Sequence, residues 1–78
     1  MNELRIGDIV IGQKESLNYG WKGEVISESQ VEIGNRSYLD FVRVRYENGN
    51  YLNHFKYDSL EVKVIGRKIP VINISDLI

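Results

Sequence analysis

Asn18-Tyr19-Gly20-Trp21-Lys22-Gly23-Glu24-Val25-Ile26 is the stretch on which the fold turns. Two glycines lie on either side of a tryptophan and a lysine, and an apolar run follows at once. Glycine reaches positive φ without a steric penalty, so this spacing predicts a tight turn feeding a sharply bent strand. Polar residues surround Tyr19 and Trp21, so both rings are expected at the surface.

Strand signals extend from this bend in both directions. Upstream, Arg5-Ile6-Gly7-Asp8-Ile9-Val10-Ile11 is a β-branched run opened by a Gly-Asp turn signal. Residues 13–19 are polar and read as a long loop. Downstream, residues 23–29 read as a second strand, broken by Ser27-Glu28-Ser29-Gln30. Val31-Glu32-Ile33 alternates and ends at the turn pair Gly34-Asn35, as a short strand or a hairpin extension.

The clearest strand is Tyr38-Leu39-Asp40-Phe41-Val42-Arg43-Val44-Arg45-Tyr46. Alternation places Val42, Val44 and Tyr46 on one face, assigned to the core, and Phe41, Arg43 and Arg45 on the other. Asn48-Gly49 is a hairpin signal, because both residues tolerate positive φ. Tyr51-Leu52-Asn53-His54-Phe55 returns. Tyr57-Asp58-Ser59-Leu60 reads as a single 3₁₀ turn in which Asp58 or Ser59 accepts from the backbone. Leu60, Val62 and Val64 alternate inward along a last strand that Gly66 ends. The remainder, Lys68-Ile69-Pro70-Val71-Ile72-Asn73-Ile74-Ser75-Asp76-Leu77-Ile78, is apolar. Pro70 removes a ladder donor, which suits an edge strand. No stretch carries a long 3.6-residue period, so helix content is expected to be very low.

The 78 residues allow one domain with a modest core. There is no cysteine. Neither disulfides nor thiolate metal sites are therefore available, which fits a reducing cytosol. No apolar run approaches a bilayer-spanning length and no signal-peptide pattern opens the chain, so a cytoplasmic protein without membrane association is expected. Ten basic residues face eleven acidic ones, a net charge of −1. That balance argues against a nonspecific DNA binder, whose affinity comes from neutralising phosphates.

Gly7-Asp8-Ile9-Val10, the Gly20–Ile26 bend, Val42-Arg43-Val44-Arg45-Tyr46 with Asn48-Gly49, and then Phe55 and Leu60 resemble SH3-like barrels, including their KOW-type and bacterial or phage accessory relatives. The resemblance covers roughly residues 5–64. Eight residues between the first strand and Gly20 depart from the usual KOW spacing and favour the broader SH3-like class. The resemblance implies an all-β fold, a small barrel of five or six strands with at most a 3₁₀ turn. Residues 1–66 would form the barrel, and residues 67–78 a tail or extra edge strand. It also implies a small binding module of the kind found among phage and mobile-element accessory proteins, which bind host proteins.

Catalysis and metal binding find little support. His54 is the only histidine, and Asp58 and Ser59 nearby do not by themselves make a triad, which is usually assembled from distant segments. Gly20-x-x-Gly23 lacks the lysine and hydroxyl of a phosphate loop. No cofactor, metal or catalytic residue is assigned. The expected binding residues are Tyr19, Trp21, Lys22, Arg43, Arg45, Tyr51, His54 and Tyr57. Tyr19 and Trp21 at the first bend, with Tyr51, Phe55 and Tyr57 around the second hairpin, form an expected aromatic groove for proline-rich peptide, methylated lysine or bases. The alternative is that Tyr46 and Phe55 fill the core. Arg43 and Arg45, with Lys56 and Lys63 on adjacent strands, offer a face for phosphate or acidic groups. The alternative there is cross-strand pairing with Glu24, Glu47 or Glu61, each exposed pair adding under about 1 kcal/mol. Three functions follow: a non-enzymatic protein-interaction module, a nucleic-acid-binding module, or a structural subunit that oligomerises through residues 69–78.

Overall fold

The computed structural model describes residues 3–58 and 60–68. It is all-β: β1 (Asp8–Gly12), β2 (Lys22–Gly34), β3 (Ser37–Tyr46), β4 (Tyr51–Phe55) and β5 (Val62–Arg67) form one antiparallel sheet in the order β4-β3-β2-β1-β5. Among the described residues there is no helix, and so none long and apolar enough to cross a membrane. The sheet is open. No ladder joins β4 to β5, and the closure expected of a barrel is not formed. The gap is bridged locally, where the Leu4 amide donates to the Lys56 carbonyl at 2.7 Å.

The fold-deciding bend forms as expected. Gly20 has φ 78°, and its amide donates to the Gly12 carbonyl at 3.1 Å. Gly23 serves the other purpose of glycine: a Cβ there would lie 2.7 Å from the Arg45 carbonyl oxygen and 2.8 Å from Val44 Cγ1. The backbone of β2 thus passes directly against β3.

Several element boundaries differ from the expectation. The polar break at residues 27–30 does not end a strand. It lies within the 13-residue β2, which carries on to Gly34 and pairs with β3 along its length. Cross-strand hydrogen bonds override low apolar content here, because a two-stranded ribbon needs no buried side chains along its solvated part. The register shifts between Val25 and Ser27, leaving Ile26 as an extra residue. Such a bulge increases local twist and turns the ribbon away from the sheet body. In the β3–β4 hairpin only Gly49 takes positive φ, at 92°. The Gly49 amide donates to the Tyr46 carbonyl at 3.0 Å, so the connection is an ordinary turn closed by a glycine bulge rather than a turn with both central residues left-handed.

The turn after β4 lies earlier than expected. It is centred on Lys56 and Tyr57 and closed by the Asp58 amide on the Phe55 carbonyl at 3.0 Å. β5 begins at Val62 and runs past Gly66 to Arg67. Leu60, expected inward, is 81% exposed because it belongs to the turn rather than to the strand. Of the tail or extra strand expected at residues 67–78, Arg67 instead ends β5; residues 69–78, and the oligomer expected through them, fall outside the described residues.

One face of the sheet forms the core. Val42, Val44 and Tyr46 are buried as alternation requires, together with Val10, Val25, Val62 and Leu4. Val64 and Trp21 pack against them half-buried. Phe55 is not in this core: it is 51% exposed on the opposite face, stacked on Phe41 at 5.0 Å between centroids.

Candidate functional site: an uncharged edge strand and a buried histidine network

The two faces of β3 and β4 carry different chemistry, and their register assigns each side chain. Phe41 lies opposite Phe55, Val42 opposite His54, Arg43 opposite Asn53, Val44 opposite Leu52 and Arg45 opposite Tyr51. Odd-numbered residues therefore share the outer face: Phe41, Arg43 and Arg45 with Tyr51, Asn53 and Phe55. His54 and Leu52 lie on the inner side with the core valines.

On the inner side His54 is 3% exposed and tied at both ring nitrogens. Nε2 lies 2.7 Å from the Tyr46 hydroxyl, and Nδ1 lies 2.8 Å from Glu61 Oε2. The Asn18 amide donates to the same hydroxyl at 3.0 Å. The Glu61 carboxylate can only accept, which assigns the ring proton to Nδ1 and leaves Nε2 to accept the Tyr46 O–H. The network ties the first loop and the turn before β5 to the paired strands β3 and β4. Burial pushes the Tyr46 phenol up to about 12. The Asn18 hydrogen bond works against this, while the negative charges of Glu61 and Asp58 add to it. Asp58 Oδ1 accepts from the amides of Leu60 and Glu61 at 2.8 and 3.0 Å, fixing the turn.

Tyr46→Phe removes the shared hydroxyl and leaves the Asn18 amide and His54 Nε2 without it. The expected cost is about 1–3 kcal/mol, read from urea denaturation, with the strand order unchanged. The pH dependence carries a second signature. The folded state holds the Tyr46 proton up to about 12, whereas the unfolded chain releases it near 10. Stability associated with this group is therefore complete below pH 10 and falls as pH rises towards 12. The phenylalanine variant should lack that component of the alkaline loss.

The outer side is exposed and shaped by the edge. The Lys56 amide donates to the Asp40 carbonyl at 2.9 Å, and the Tyr46 amide to the Asn50 carbonyl at 2.8 Å. Carried through the register between these two bonds, the β3-directed amides of β4 are those of Leu52 and His54. The amides of Tyr51, Asn53 and Phe55 point to the free edge. Tyr51 and Phe55 are half exposed beside them. The Arg43 guanidinium sits over the Tyr51 ring, 5.0 Å from its centroid, and Arg45 approaches Glu24 at 3.9 Å. Beyond Phe41, the outer face continues onto the β2–β3 ribbon through Leu39 and its partner Val31.

Among the expected binding residues, Arg43, Arg45 and Tyr51 are brought together, and Lys22 joins Arg45 and Tyr51 around a shallow groove of about 510 Å³. The others are dispersed. His54 is part of the buried network, and Trp21 is half-buried with its ring edge-on to Tyr46 at 5.5 Å. Tyr19 and Tyr57 are exposed, but among the described residues no ring contact links Tyr19 or Trp21 with Tyr51, Phe55 or Tyr57, so the aromatic groove is not formed. Of the expected cation partners, Lys63 is on β5, separated from β3 by β2 and β1. Lys56 follows β4 but is occupied by Glu3 at 3.5 Å and Glu28 at 3.4 Å. Phe41 lies on the outer face as expected, but its stack with Phe55 and the placement of Asn53 beside them were not anticipated, nor were Asn18, Tyr46 and Glu61 as a network around His54. The alternation of residues 51–55 held the signal for Asn53 and Phe55. Comparison with protein-family models, with curated proteins and with solved structures gives no match.

Proposed function

We propose that this chain is a non-enzymatic protein-interaction module of SH3-like descent that takes an extended peptide as an added strand on β4. The SH3-like reading is supported by the return of β5 onto β1 beside the β2-β3-β4 meander and by the long β2–β3 ribbon. The observation that carries the functional reading is the composition of the edge. Tyr51-Leu52-Asn53-His54-Phe55 contains no Lys, Arg, Asp or Glu, and among the described residues its outward amides have no backbone partner. Edge strands are ordinarily blunted by charge, and β5, the other edge, follows that rule with Lys63 and Arg67. An uncharged edge with flanking rings is a template for strand addition, in which main-chain bonds give affinity and alternate side chains give specificity.

The flanking chemistry defines the partner: an extended segment with an apolar residue for the Phe41–Phe55 stack and, two residues along, a carboxylate for Arg43. Selection from a random peptide library displayed on a carrier tests this. Enrichment of alternating apolar and acidic residues, with affinity falling at least about tenfold in Arg43→Ser, is the expected outcome. A selected set without acidic residues would overturn the reading. So would amide shifts on β3 and β4 caused by single-stranded oligonucleotide but not by peptide, and so would self-association through β4 that peptide does not reverse.

A further inference from the structure

We propose that His54, Asp58 and Glu61 form a binding site for a divalent transition-metal ion of the Zn²⁺ class. Each offers one ligand atom, and the three atoms lie within 4.8 Å of one another. Nδ1 of His54 is 2.8 Å from Glu61 Oε2 and 3.6 Å from Asp58 Oδ2. Ligand atoms around a tetrahedral zinc stand roughly 3.3 Å apart, given bond lengths of about 2.0–2.2 Å. Small side-chain adjustments would therefore seat an ion between them.

An independent observation points to a ligand. Asp58 Oδ2 is buried, in a side chain only 6% exposed, and among the described residues it has no hydrogen-bond partner. Its sister oxygen is fixed by the amides of Leu60 and Glu61, which aims Oδ2 at His54. A buried carboxylate oxygen without a partner is costly, and a cation at this position would satisfy it.

The surroundings supply the rest of a metal site. Tyr46 holds the far nitrogen of His54, as the outer partners of ligating histidines do. With an ion on Nδ1, the ring proton moves to Nε2 and donates to the Tyr46 oxygen. The Asn18 amide, turned over, then accepts the Tyr46 O–H. No proton is lost from the network; its bonds reverse direction. Access comes from a cleft of about 540 Å³ bordered by Glu15, Asn18, Leu52, Leu60 and Glu61, and the half-exposed Glu61 stands at its mouth. A single imidazole with two carboxylates and room for water suits Zn²⁺ better than Ca²⁺, which requires six to eight oxygens.

Calorimetric titration with ZnCl₂ in a non-chelating buffer tests the site, with Co²⁺ absorption and the His54 ring ¹⁵N signals as structural readouts. The expected result is one ion per chain, visible Co²⁺ bands and a change at both ring nitrogens, Nδ1 exchanging its proton for the ion and Nε2 becoming the protonated nitrogen. Asp58→Asn keeps the acceptor for the two amides but removes the charged ligand, and should weaken binding at least about tenfold. Glu61→Gln should do the same from the exposed side, while Glu32→Gln on the ribbon should bind as wild type. Absence of saturable Zn²⁺ binding, or wild-type affinity in both Asp58→Asn and Glu61→Gln, would overturn the proposal. The titration does not involve the outer edge of β4, so its outcome is independent of peptide binding.

Discussion

Gly12→Ala is expected to destabilise the protein by about 3 kcal/mol or more, the upper end of what overpacking costs. Gly12 is buried at the end of β1, and a Cβ there would run into the carbonyl carbon and oxygen of Asn18. The obstacle is backbone, so no rotamer change relieves it. Nor can the strand end move aside. The Gly12 amide donates to the Trp21 carbonyl at 2.9 Å, and its carbonyl accepts from Gly20 at 3.1 Å. The first loop must therefore be displaced, taking Asn18 away from Tyr46. Urea denaturation measures the loss, and the Tyr46–His54 network should be perturbed in the same variant. A loss under about 1 kcal/mol would mean that the loop does not lie against β1 as described.

Leu4→Ala is the second large effect. Leu4 is fully buried, although it precedes the first strand. Its amide donates to Lys56 at the end of β4, and its side chain fills the core where the open sheet lacks a closing ladder. Truncating a fully buried leucine costs about 2–5 kcal/mol. A core in a chain of this size supplies roughly 3–5 kcal/mol in all. The variant should therefore be largely unfolded at room temperature, with collapsed amide dispersion and no cooperative thermal transition. Leu17→Ala is the matched control: Leu17 is fully exposed, so its loss should alter stability by no more than about 0.5 kcal/mol. Equal stability of the two variants would contradict the placement of the N-terminal segment.

What the sequence revealed and what it concealed follow from the range of the interactions. Alternation along residues 38–46 was enough to assign Val42, Val44 and Tyr46 inward, because pleating is local. Gly20 was legible as a turn for the same reason. The polar run at residues 27–30 misled because its strand is held by a partner strand rather than by burial. Trp21 was expected outside on account of its polar neighbours, yet Asn18 itself is buried by its bond to Tyr46. Leu4 carried no local signal, since its burial depends on contact with residues more than fifty positions away.

The site divides in the same way. Arg43, Arg45 and Tyr51 were found because strand parity and one hairpin place them together. His54 was grouped with them through proximity in sequence, but its even number within β4 turns it to the other face. For Phe55 the sequence leaves two places open, the aromatic groove or the core, and the same parity puts it on the outer face. The edge position of β4 could not be read, because it depends on β5 pairing with β1 and on the sheet remaining open.

Residue-resolved hydrogen exchange across β4, with and without a selected peptide, tests strand addition most directly. In the free protein the amides of Leu52 and His54 should be protected and those of Tyr51, Asn53 and Phe55 should exchange rapidly. Peptide binding should protect Tyr51, Asn53 and Phe55 and leave the even-numbered pair unchanged. New protection on β5 instead, or peptide binding that leaves all three outward amides exchanging freely, would contradict the account.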